Sequence, residues 1–139
     1  MSDLPEQEAL CAHFGVWQPQ SGGTCAKARL SQLFDVLNKI TIAALIAPKA
    51  EGERALAAQH LAHLQPGHLL LMDRGYPAFW LFAAILKRGA DFCVRLPVSE
   101  WLVAQHFVAS GKEAQVTWLA PGYEAKKKCA ALQLSTAPI

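Results

Sequence analysis

Residues 67–97 read GHLLLMDRGYPAFWLFAAILKRGADFCVRLP, and the fold turns on how that stretch is read. Four apolar residues, Leu69 to Met72, run into the charged pair Asp73 and Arg74, the pattern of a central parallel strand covered on both faces. Gly75 relieves the turn and Pro77 suits the first position of a helix, so residues 78–88 are expected to form a buried helix closed by Gly89. A second strand is expected over 91–96. Strand, helix and strand with short joints make a βαβ unit, expected to be parallel and right-handed. Ligands of open α/β sheets gather beyond the carboxyl ends of the strands, which makes Asp73 the candidate site residue. The plain alternative, given even weight on this residue alone, is that Asp73 caps the following turn or pairs with Arg74.

Upstream, residues 28–37 approximate period-two alternation and residues 40–47 are rich in Ile and Thr, so a hairpin turning at Asn38-Lys39 is expected. Residues 51–64 turn helical, with Ala57, Leu61 and Leu64 on one face and Glu51 and Glu53 favourably placed near the positive helix start. Residues 1–27 show no period and read as an irregular N-terminal segment. Beyond Pro97 the expected elements are a helix at 100–110, a strand at 115–119, a lysine run at Lys126, Lys127 and Lys128, and a further strand at 130–134.

Composition bounds the class. The chain has 139 residues, 53% of them hydrophobic, with mean hydropathy +0.18 and net charge +2, a length suited to one domain and a globular composition far from the disordered class. Cys11, Cys25, Cys93 and Cys129 form no C-x-x-C pair, so neither zinc nor a disulfide framework is indicated, and a reducing cytoplasm fits. The N-terminus lacks the basic and apolar regions of a signal peptide, and Asp73, Arg74, Gly75 and Pro77 interrupt the most apolar stretch, which argues against a membrane partner.

The series of motifs resembles the catalytic domain of DDE transposases of the insertion-sequence-four type. In that family an apolar strand ends in D-R-G-Y ahead of a helix and of a strand ending in V-R, matched here by Asp73, Arg74, Gly75, Tyr76, Val94 and Arg95. EGERALAAQHL resembles the family's preceding helix, LFDVLN its second strand, and DLPEQEALCAHFG its early D-x-P-E-N…F-G segment. The resemblance spans essentially the whole chain, and the ordered series is more specific than any one motif.

What the resemblance implies is a partial ribonuclease-H-like mixed α/β sheet at 28–98, with residues 99–139 opening an inserted region. It makes Asp73 one of three catalytic carboxylates that hold two Mg2+ ions for DNA cleavage and strand transfer. The first Asp is expected before Met1, with Asp3 not that residue, and the catalytic Glu beyond Ile139. The strand with the first Asp is expected between the strand at 28–37 and that at Leu69–Met72. Arg74, Arg95, Lys126, Lys127 and Lys128 are candidate phosphate contacts, against the ordinary reading of surface ion pairs and a solvated lysine face. DNA and full-length transposase are the expected partners.

Other readings stand beside this one. A non-catalytic DNA- or transposase-binding protein derived from a truncated transposase is the second. An α/β phosphohydrolase with Asp73 as nucleophile is the third, and it wants a second carboxylate where Gly75 stands. His60 and His63, three apart, are expected to be half-buried helix residues rather than a metal pair, Trp80 to be core, and Trp101 and Trp118 to have no assigned role. Dipole compensation accounts for Glu53.

Overall fold

Eleven residues, Cys25–Asp35, form the longest strand, β3, and the other elements of the first half assemble on it. The computed structural model describes residues 2–5, 7–17 and 25–139. Within the segment 1–27 expected to be irregular, the described residues form short strands β1 (Ser2–Leu4) and β2 (Val16–Trp17) and helix α1 (Glu8–Phe14), while residues 1, 6 and 18–24 lie outside the described residues. β1, β2 and β4 (Ile40–Pro48) each pair antiparallel with β3. Ala28 faces Ser2 of β1 and Pro48 of β4, so those two strands lie on opposite edges of β3. Along residues 29–35 the β1 side of β3 has no strand neighbour among the described residues.

The hairpin turn is longer than the two residues expected. Residues 36–39 form it, and the Asp35 carboxylate accepts hydrogen bonds from the Leu37 N–H (2.9 Å), the Asn38 N–H (3.0 Å) and the Asn38 side-chain amide (2.7 Å). Lys39 adopts φ 58°, a left-handed conformation that tightens the return. On β4 the register passes from Leu33 facing Ala43 to Phe34 facing Thr41, leaving Ile42 as a bulge.

Helix α2 (Glu53–His60), continued by a 3-10 turn (Leu61–His63), packs on β3. Leu56 and Leu61 are buried with Ala26, Ala28 and Ala47 in the core of this first compact unit, Met1–His63.

The second unit, Leu64–Ile139, is built on the expected βαβ. β5 (Leu69–Met72) and β6 (Asp91–Val94) are parallel, with Leu69 facing Asp91 through to Met72 facing Val94. Between them α3 (Phe79–Lys87) buries Phe79, Leu81, Phe82, Ala83 and Ile85. Phe82 stacks on Phe92 of β6 at 4.3 Å between ring centroids, fixing helix to strand. One expectation for β5 fails: Leu69 and Leu71 are 60% and 59% exposed, so one face of the pair is open rather than covered.

Two later expectations also fail. Residues 115–119 form no strand, although Leu119 exchanges backbone hydrogen bonds with Ile139 at 2.7 and 3.0 Å. Residues 130–134 belong to the end of helix α5 (Tyr123–Ala131) and the turn after it. α5 packs on α3, with Cys129 fully buried beside Phe79 and Ala83. The expected helix near 100–110 is α4 (Leu102–Ala109).

Among the described residues the architecture is therefore mixed α/β, with a four-stranded antiparallel sheet and a two-stranded parallel one. No described helix is long and apolar enough to cross a membrane.

Candidate functional site

Asp73 directly follows the last residue of β5, where strand geometry ends and its carboxylate is delivered to solvent. The chain then turns sharply: the Tyr76 N–H donates to the Asp73 carbonyl at 3.1 Å, and Pro77 is buried ahead of α3. Arg95 follows the last residue of β6 in the same way, and its N–H donates to the Met72 carbonyl at 3.3 Å, extending the parallel ladder by one bond. Parallel pairing thus brings the two side chains together. Arg95 Nη1 lies 3.6 Å from Asp73 Oδ1.

The pair is loose and wet. The side chains are 76% and 65% exposed, so the attraction contributes about 0–1 kcal/mol to folding and leaves both groups accessible. Asp73 is therefore neither a buried structural acid nor partnered with its neighbour Arg74 in this ion pair. An exposed carboxylate beside a guanidinium at the carboxyl ends of two parallel strands can accept a cation after displacing the arginine, or can orient that arginine toward a phosphate.

Arg74 is exposed next to Asp73. Lys126, Lys127 and Lys128 lie on α5 and are exposed; Lys128 Nζ sits 5.6 Å from the centroid of the Trp80 ring, within cation–π range. Trp80 is only half-buried against the Phe79–Cys129 cluster. Trp101 is half-buried, 6.0 Å from the Phe82 ring, while Trp118 is 79% exposed. A cleft of about 480 Å3 is lined by Ala83, Leu86, Lys87, Gln133, Pro138 and Ile139, and Asp73 takes no part in it.

Among the described residues no group of three or more His, Cys, Asp or Glu converges as a metal site would require. Asp73 supplies one hard oxygen ligand, and a pair of Mg2+ ions needs more carboxylates than that. The residues present do not fit a two-ion centre.

The histidines separate. His63 is exposed, whereas His60 is 7% exposed and its Nε2 lies 3.0 Å from the Ser31 hydroxyl on β3. Burial, with His63 nearby, lowers the His60 pKa below its ordinary 6.5, the hydrogen bond to Ser31 opposing. Sequence reasoning missed this contact and a second one between the same two elements, the ion pair of Arg29 with Glu53. Their signal was the polar residues Lys27, Arg29 and Ser31 on alternate positions of β3.

Neither a family model, nor a curated protein, nor a solved structure matches the chain.

Proposed function

We propose that the chain is part of the catalytic domain of a DDE DNA transposase with a ribonuclease-H-like sheet, and that Asp73 is one of its three metal-binding carboxylates. The observation that supports this most is the site geometry: the Asp of D-R-G-Y and the Arg of V-R stand 3.6 Å apart at the carboxyl ends of two parallel strands joined by a helix. A second support is the vacant side of β3 along residues 29–35, an edge suited to a strand bearing the first Asp.

In this reading the other two carboxylates belong to segments outside the 139 residues, and the Mg2+ pair is held only when all three meet. Alone, the chain would contribute cationic groups: Arg74, Arg95 and Lys126 to Lys128 would meet phosphate, with weak, salt-sensitive and sequence-independent DNA affinity. Those exposed cations also support the second reading, a non-catalytic DNA- or transposase-binding protein.

The test is reconstitution. The chain is combined with the products of the adjacent upstream and downstream sequence and given DNA ending in the adjoining repeats. Metal-dependent strand cleavage abolished by Asp73→Ala is expected. Cleavage unaffected by Asp73→Ala contradicts the assignment, and DNA binding without any cleavage favours the second reading.

A further inference from the structure

We infer that strand β4 is a self-pairing edge through which two copies of this chain associate. Among the described residues β4 is hydrogen-bonded to β3 alone, so its other side presents unpaired N–H and C=O groups on alternate residues of 40–47. Such edges template pairing with another chain unless charge, proline or distortion blunts them. Here residues 40–47 contain no charged side chain; Lys39 and Lys49 stand just outside the strand, and Pro48 is its last residue. The bulge at Ile42 is confined to the turn end, and from Ala43 to Pro48 every residue keeps its regular partner on β3.

The occupant follows from the strand's own sequence. Residues 42–46 read I-A-A-L-I, nearly the same in both directions about Ala44. A two-fold axis through Ala44 sets two β4 strands antiparallel, with Ile42 of each facing Ile46 of the other. Antiparallel pairing puts directly opposed residues on one face of the sheet, and Ile42 and Ile46 are 44% and 64% exposed, so each gains an apolar neighbour on its outer side, where β4 has no partner strand among the described residues. A self-complementary edge of this kind meets the requirement of an isologous interface, in which the same patch is used twice.

Sedimentation equilibrium over a concentration series, coupled to amide hydrogen exchange, tests the inference on the unmodified chain. A monomer–dimer equilibrium is expected, with the alternate, outward-facing amides in 40–47 gaining protection as concentration rises. Ile46→Lys, at a position 64% exposed, is expected to raise the dissociation constant by about tenfold or more, while Leu37→Lys in the hairpin turn leaves it unchanged. A monomer at every concentration overturns the inference. So does a dimer in which no amide in 40–47 exchanges more slowly than in the monomer, or open-ended association indifferent to Ile46→Lys.

Discussion

The Ser31–His60 hydrogen bond is the clearest case of a single contact with a measurable signature. Both side chains are buried, 9% and 7% exposed, and the bond ties α2 to the middle of β3. Ser31→Ala leaves a buried imidazole nitrogen without its partner, expected to cost about 1–3 kcal/mol in chemical denaturation. Because burial lowers the folded-state pKa of His60 below 6.5, the unfolded chain binds the proton more readily. Stability from this group is therefore complete above about pH 6.5 and declines as pH falls from there through the lowered folded value. Melting of the protein at descending pH should show this loss, and His60→Gln should flatten it; an unchanged profile in that variant would assign the dependence elsewhere. At Asp73 the expectation is negative: with only one of the three proposed catalytic carboxylates present, the isolated chain shows no Mg2+- or Mn2+-dependent nicking of DNA, and nicking abolished by Asp73→Ala would overturn this.

At the scale of elements, α3 anchors the second unit. Leu81 and Ile85 are fully buried and Leu86 is 38% exposed, so Ile85→Ala is expected to destabilise by about 2–5 kcal/mol and Leu86→Ala by clearly less, as measured by denaturant unfolding. This helix and its flanking strands were legible in the sequence because Gly75, Pro77 and Gly89 punctuate an apolar run of the right length, and the boundaries of β5 agree to the residue. The location of Asp73 at the end of β5 was legible for the same reason, and the approach of Arg95 follows from parallel register. The hairpin also was legible, although Asp35 and the left-handed Lys39 lengthen its turn. Residues 123–131 misled because only Cys129 on α5 is fully buried, leaving too few apolar residues to mark a helical period. The open face of β5 could not be read locally, since an apolar run looks the same whether one face or both are covered.

At the scale of the whole molecule, exposed apolar side chains are the dominant feature. Leu30, Phe34, Val36, Ile40, Ile42 and Ile46 in the first unit, and Leu69 and Leu71 in the second, are each between 44% and 64% exposed. Patches of this kind mark surfaces made to be covered. Poor solubility of the isolated chain is expected, improved by a peptide of the upstream sequence able to pair along residues 29–35 of β3; cooperative, monomeric unfolding of the bare chain at high temperature would contradict this. The central claim, kinship with a DDE transposase, is tested most directly by determining the nucleotide sequence on both sides of the reading frame. The expected result is an upstream strand ending in D-G-S or D-G-T, a downstream helix containing Y…R…E, and inverted repeats bounding the whole; finding none of these on either side would contradict the account.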